Sequence, residues 1–358
     1  MPRLLKFAAA QVGPVHRDSE RASTLLRMID LLEDAASQGA KIVTFPECTF
    51  TTFFPRHLIN DIAELDQYFE HGEDIRASAN IKPLFDSAHK LGVDISVGFA
   101  ERTASGQGFN TAVYFSARAG EIISKYRKVH LPGTKEPFDK PDAVNQLEKR
   151  YFEPGNLGFE AFRAPDILSD CLKAGTKVVS TAGKGDAIFG TLICNDRRWP
   201  EAWRCLGLQG VELVMCGYNT PSWAPDLWGM RKEMSREEAE AEVLFHHKLV
   251  MQSNSYMNSC FSISAARVGP DDGTFDMIGG SMIVSPEGHI IAEAKGKDDE
   301  LVMAEIDLEE CYPGKAKVGF FEFEDSEVEA DFGFARLSIS VGIEGQRHMD
   351  ASSSKRVL

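Results

Sequence analysis

Long hydrophobic runs are missing from this 358-residue sequence. No stretch approaches the roughly 20 apolar residues that a membrane-spanning helix requires. The opening, Met1-Pro2-Arg3-Leu4-Leu5-Lys6, leads into an alternating apolar segment with no secretory h-region. Positive charge is scarce too: 39 Lys and Arg stand against 54 Asp and Glu, a formal net charge of −15. That balance disfavours counter-ion release on nucleic acid and docking on an anionic bilayer, so neither partner is expected. An anionic small molecule is compatible with it only where a local cationic site exists. The seven cysteines (48, 171, 194, 205, 216, 260 and 311) are odd in number, scattered, and without a C-x-x-C pair. A disulfide framework or zinc knuckle is therefore not expected. Free thiols in an acidic chain fit a reducing compartment, and the expected location is cytoplasmic. Adjacent His246-His247 point about 100° apart on a helix and lack an i, i+4 ligand partner, so no metal is expected. No cofactor is expected either.

What is present is globular in proportion, with 43% hydrophobic and 26% charged residues. A chain of this size buries roughly three quarters of its unfolded surface, enough to hold a reactive pocket rigid. Periodicity predicts a strand at 7–12, a helix at 19–37 closed by Gly39, and a strand at 41–45. A helix follows at 75–91, a strand at 93–100, and a hairpin of 110–116 with 121–125 around Ala119-Gly120. Residues 130–160 read as a long loop of the kind that carries function. Strands are expected at 177–180, 187–194 and 211–216, helices at 199–208 and 235–257, and strands at 260–266, 280–284, 289–294 and 301–306. No internal repeat or Gly/Ser linker divides the chain. The expectation is an α/β fold in one domain, 1–338, with a C-terminal tail over 339–358.

Three segments combine into chemistry: Phe45-Pro46-Glu47, Lys125-Tyr126-Arg127-Lys128, and Cys194-Asn195-Asp196-Arg197-Arg198-Trp199-Pro200-Glu201. Taken singly, the glutamate reads as a cap, the lysine as solvated surface, and the cysteine as packing. Taken together they supply three needs. A thiol mostly protonated at neutral pH requires a base or a nearby cation. Attack on an amide-like carbonyl builds oxyanion charge that a fixed donor must meet. The leaving nitrogen needs a proton, which a carboxyl group can deliver after taking it from the thiol. Arg197 and Arg198 add planar forks suited to a substrate carboxylate. A surface pair at a helix N-terminus, salt-bridged to Glu201 or another acid, is the alternative for those two.

In these segments the chain resembles the nitrilase superfamily of carbon–nitrogen hydrolases, and most nearly its N-carbamoyl-D-amino acid amidohydrolases. Supporting text includes Thr51-Thr52-Phe53-Phe54-Pro55-Arg56, Leu147 to Gly155, Gly217-Tyr218-Asn219-Thr220-Pro221 and Phe245-His246-His247, over about residues 5–325. The resemblance implies a four-layer α-β-β-α sandwich, usually assembled as a homodimer or homotetramer. It implies Cys194 as nucleophile, Glu47 as general base and acid, Lys128 as oxyanion-stabilising group, and Glu148 as a supporting carboxylate. Arg197 and Arg198 would hold the substrate carboxylate, while Asn195, Asn219 and Thr220 line the pocket; His130, just after the lysine motif, is a further pocket candidate. The expected substrate is an N-carbamoyl amino acid, released as amino acid, ammonia and carbon dioxide. The same chemistry on an amide or β-ureido acid, or a silent scaffold relative, are the alternatives. Gln146 departs from the pattern, standing where those amidohydrolases have a histidine. Residues 163–185 and 222–242 look longer than in them.

Overall fold

A computed structural model of the chain describes residues 2–72, 74–140, 143–168, 186–228 and 234–317. In chain order the first strands are β1 (Leu4–Gln11), β2 (Ile42–Thr44), β3 (Phe69–His71), β4 (Asp94–Arg102), β5 (Gly108–Ser116) and β6 (Glu121–Arg127). They are followed by β7 (Phe162–Ala164), β8 (Ala187–Ile193), β9 (Leu213–Tyr218), β10 (Phe261–Ala266), β11 (Val268–Asp271) and β12 (Phe275–Ile278). The last are β13 (Met282–Val284), β14 (Ile290–Glu293) and β15 (Glu300–Asp307). The α-helices are α1 (Arg21–Ser37), α2 (Ile62–Asp66), α3 (Lys82–Leu91), α4 (Glu148–Tyr151), α5 (Pro200–Leu208), α6 (Pro225–Trp228), α7 (Arg236–Asn258) and α8 (Tyr312–Lys317).

One sheet runs β15-β1-β2-β4-β5-β6, with β3 paired to β4; the second runs β14-β13-β10-β9-β8-β7. Strict alternation along β1 explains how the sheets stack. Leu5, Phe7 and Ala9 face the second sheet, meeting Phe189, Leu213, Met215 and Ile263. Ala8, Ala10 and Val12 face the other way, against Met28, Leu32 and Ala35 of α1 and Leu84 of α3. On the far side, Val214 and Cys216 of β9 pack under Trp203 and Leu206 of α5 and Met251 of α7. The result is the four-layer α-β-β-α sandwich. Arg3, before β1, ties the layers by pairing with Glu212, before β9, and with Glu309.

Local signals mostly act where they are read. Ser235 and Glu238 close a reciprocal capping box on α7 (3.1 and 2.8 Å), and Gly39 turns left-handed after α1. The expected helix at 75–91 is two elements: a 3₁₀ turn at Ile75–Ala77, then α3, whose first turn holds Pro83. Proline favours exactly one helical location, the first turn, because its missing N–H is unpaired there in any case. The hairpin β11–β12 was absent from the expectations. The expected strand at 177–180, the boundary at 338 and the tail at 339–358 lie outside the described residues.

The parallel strands β2, β8 and β9 all end at the same edge of the sandwich, where α/β folds place chemistry. The chain leaving β2 is pressed between the sheets there. A Cβ on Gly98 of β4 would stand 2.7 Å from the Glu47 Cα, and one on Gly217 of β9 would stand 2.7 Å from the Glu47 nitrogen. Both are backbone atoms with no room to yield. Gly217→Ala is expected to cost about 1–3 kcal/mol by overpacking, read as a fall in Tm in thermal unfolding; an unchanged Tm would contradict this close approach.

Candidate active site

Glu47 lies just beyond β2 with its side chain fully buried. Its Oε2 accepts from Asn110 Nδ2 (2.8 Å) and Lys128 Nζ (3.1 Å), and its Oε1 accepts from the Asn219 backbone N–H (2.8 Å). Lys128, one residue past β6, also donates to Glu148 Oε2 at 2.6 Å. Gln146 Nε2 donates to the other oxygen of Glu148, again at 2.6 Å. Each of the Lys128, Glu47 and Glu148 side chains has 0% exposure. A lysine buried alone would lose its proton; here burial is outweighed by its negatively charged neighbours, Glu148 and Glu47 among them, which hold it well above the usual lysine range. Burial, eased by Lys128 and reinforced by Glu47, lifts Glu148 to about 7.

Cys194 follows β8 directly and opens a 3₁₀ turn, Cys194–Arg198. Its φ of +49° lies in the left-handed region, which a non-glycine residue occupies only at a cost. Surrounding bonds enforce it. Asp196 Oδ2 accepts from the Ile193 N–H (3.2 Å) and the Tyr126 hydroxyl (2.7 Å), while its Oδ1 accepts from the His130 N–H (2.9 Å) and faces His130 Nδ1 (2.8 Å). One carboxylate thus clamps the lysine segment onto the cysteine turn. The Cys194 thiol is pushed up to about 11 by burial and by Glu47, with Lys128 and Arg197 pulling the other way. It is therefore a thiol at neutral pH and needs a base.

The two arginines part company. Arg197 is 1% exposed and committed to the interior. Its Nε donates to His247 Nδ1 (3.1 Å), its Nη1 to the Cys194 carbonyl (2.7 Å) and its Nη2 to Thr220 Oγ1 (3.1 Å). The guanidinium also lies 4.4 Å over the Tyr218 ring. Since His247 Nδ1 accepts, its proton is on Nε2, 3.0 Å from the Tyr218 hydroxyl, which in turn donates to the Gly279 carbonyl (2.5 Å). Burial and Arg197 hold His247 well below the usual imidazole range, hence neutral. Arg198 is half-buried and lowered to about 10 by burial and by Arg197.

A narrow cleft of about 20 Å³ reaches Cys194, lined by Gln146, Asn195, Arg197, Arg198, Asn219, Thr220, Pro221 and Leu227 among others. The structure therefore brings together Glu47, Lys128, Glu148, Cys194, Asn195, Arg197, Arg198, Asn219 and Thr220. His130 is apart from them: it stacks between Phe159 and Trp199, with ring centroids at 5.9 and 5.5 Å, and its carbonyl accepts from Asn195 Nδ2 (3.1 Å). Sequence reasoning missed Asn110, Asp196 and His247 as positioning groups. Asp196 carried a signal, an acid two residues past the cysteine; His247 carried one in the Phe245-His246-His247 segment, which pointed to no role; Asn110 carried none. A larger cleft of about 390 Å³, lined by Glu70, Glu101 and Lys125, contains none of these residues. Among the described residues no group of three or more His, Cys, Asp or Glu side chains could hold a metal ion, and no helix is long and apolar enough to cross a membrane.

The family model for carbon–nitrogen hydrolase matches residues 6–316. The chain belongs to the carbon–nitrogen hydrolase family. This carbon–nitrogen hydrolase is 27% identical to an N-carbamoylputrescine amidase of Oryza sativa subsp. japonica, over 88% of this chain and 90% of the relative. It is also 27% identical to a nitrilase of Pyrococcus abyssi, over 85% and 90%. The crystal structure of a carbon–nitrogen hydrolase from Helicobacter pylori G27 superposes with a TM-score of 0.68 at 24% identity, covering 93% of this chain and 98% of that one. Family membership carries C–N bond hydrolysis through an active-site cysteine. The likeness is shown at that level, across relatives named for different substrates.

The sign of the Glu47 effect on Cys194 gives a sharp test of this hydrolase. Glu47→Gln removes the negative charge that raises the thiol, so the pH profile of iodoacetamide labelling at Cys194 is expected to move to lower pH. On the reading that Glu47 accepts the thiol proton, turnover is expected to drop about 10²-fold or more in the same variant. A labelling profile that moves to higher pH would contradict the electrostatics described above.

Proposed function

We propose that this chain hydrolyses the terminal C–NH₂ bond of a small carboxamide or ureido acid, with Cys194 as nucleophile, Glu47 as general base and acid, and Lys128 as oxyanion donor. The N-carbamoyl amino acid expected from the sequence is one member of that class; the relatives support the broader class better. The observation that carries the reading is Glu47 and Lys128 hydrogen-bonded to each other in the interior and electrostatically coupled to Cys194.

Glu47 takes the thiol proton as sulfur attacks the carbonyl carbon. Charge grows on the carbonyl oxygen, and the Lys128 ammonium, kept protonated by its two carboxylates, stabilises it. The intermediate collapses by breaking the C–NH₂ bond, and Glu47 passes its proton to the departing nitrogen, which leaves as ammonia. Water deprotonated by Glu47 then attacks the thioester or thiocarbamate carbon, and Glu47 returns the proton to sulfur. A carboxamide ends as a carboxylic acid. A ureido acid ends as a carbamate, which loses carbon dioxide to give the amine. Arg198, at the rim of the cleft, supplies the cationic anchor for a substrate carboxylate; Arg197 fixes the cysteine turn instead of sharing that task.

Cys194→Ala is expected to release no ammonia from N-carbamoyl or carboxamide acids, and full activity in that variant would end the proposal. Glu148 supplies a second check. If its ionised form supports Lys128, kcat/KM rises with pH through about 7, where burial has pushed this carboxyl. Glu148→Gln should lower the rate and abolish that acid limb; a limb that persists unchanged assigns the titration elsewhere.

A further inference from the structure

Gln146 and Asn219 share a feature the proposed chemistry leaves unused. Among the described residues, several buried side-chain polar atoms have no hydrogen-bond partner, and only two of them belong to residues lining the Cys194 cleft: Gln146 Oε1 and Asn219 Oδ1. The two residues are 3% and 1% exposed. Both amides are oriented by their nitrogen ends. Gln146 Nε2 donates to Glu148 Oε1 (2.6 Å), and Asn219 Nδ2 donates to the Glu47 carbonyl (2.9 Å). Both partner atoms accept in this arrangement, so each amide commits its nitrogen and leaves its oxygen as the open end. Two side-chain carbonyl oxygens, on residues that line the Cys194 cleft, are thereby left as acceptors without the partner that a buried acceptor requires.

A buried acceptor left open at a reaction site is complementary to an N–H donor on the ligand. A nitrile carbon–nitrogen group offers no N–H. A primary carboxamide, –CH₂–CO–NH₂, offers N–H groups on the scissile nitrogen alone. A ureido group, –NH–CO–NH₂, offers them on both nitrogens flanking the reacting carbon. We propose that Gln146 and Asn219 select a ureido substrate, Asn219 Oδ1 taking an N–H of the scissile nitrogen and Gln146 Oε1 the N–H of the internal one. This rests on the reading that Cys194 attacks the carbon between those nitrogens, and it narrows that reading from two substrate classes to one. The assignment to Asn219 follows from its backbone, whose carbonyl oxygen is 3.7 Å from Cys194 Sγ and whose N–H is bound to Glu47. Gln146 makes the selection independent of its own ionisation, because an amide does not titrate where a histidine would.

Three small acids of matched length test it: N-carbamoylglycine (internal N–H), succinamic acid (CH₂ in its place) and N-carbamoylsarcosine (N–CH₃ in its place). With the unaltered chain, kcat/KM for ammonia release is expected to favour N-carbamoylglycine over each of the other two by roughly tenfold or more, the scale of one unmade hydrogen bond to a buried acceptor. Gln146→Met, similar in length but without the acceptor, should narrow the N-carbamoylglycine to succinamic acid ratio at least tenfold. Equal rates on those two acids with the unaltered chain would overturn the inference without any variant, while leaving the hydrolase reading intact. Equal proportional losses on both in Gln146→Met would also overturn it, because Gln146 would then act only by positioning Glu148. Ammonia from none of the three acids would overturn the hydrolase reading and this inference with it.

Discussion

Burying an ammonium between two carboxylates is the constraint on which the rest of this structure depends. Lys128, Glu47 and Glu148 all lie out of water, and each would be expelled or neutralised if its partners were removed. Mutual pairing keeps the lysine charged, and the Asn110, Asn219 and Gln146 amide groups complete the carboxylate bonds. Such a cluster can be assembled only where several strand ends converge, at the shared edge of the two sheets. Its position between Gly98 and Gly217 shows how tightly it is held: the sheets approach the Glu47 backbone too closely for a side chain on either strand.

Reactivity follows from the same burial. A thiol lifted to about 11 is protected from adventitious ionisation, and in the proposed reaction a neighbouring carboxylate takes its proton as it attacks. The backbone contributes as well. Cys194 sits at a left-handed φ on a turn clamped by Asp196 and Arg197, so the sulfur is presented by a hydrogen-bonded frame. A buried aspartate, arginine and histidine hold that turn in place.

The α/β character and the three segments around Glu47, Lys128 and Cys194 were legible because they rest on short-range sequence signals: apolar alternation, a charged residue at a strand end, a cysteine terminating an apolar run. The four-layer stacking was legible only through the resemblance of those segments to a known family. Helix α3 was misjudged by a turn or two, since apolar spacing continues through 75–91 while Pro83 sets the start. The split between Arg197 and Arg198 was not legible. Adjacent guanidiniums look alike in sequence, and only the long-range partners His247 and Thr220 commit one of them to the interior. His130 misled for a related reason: proximity to Lys128 in the chain does not fix the side of the segment, and Asp196 draws its ring away toward Trp199. The unpartnered oxygens of Gln146 and Asn219 were likewise invisible, because an amide's free end is defined by what its other end binds.

The most direct test of the account is the mass of the Cys194 peptide from enzyme quenched in acid during the first turnover of N-carbamoylglycine. The account predicts an adduct on Cys194 with the mass of the substrate less ammonia. An adduct of that mass on a different residue would contradict it.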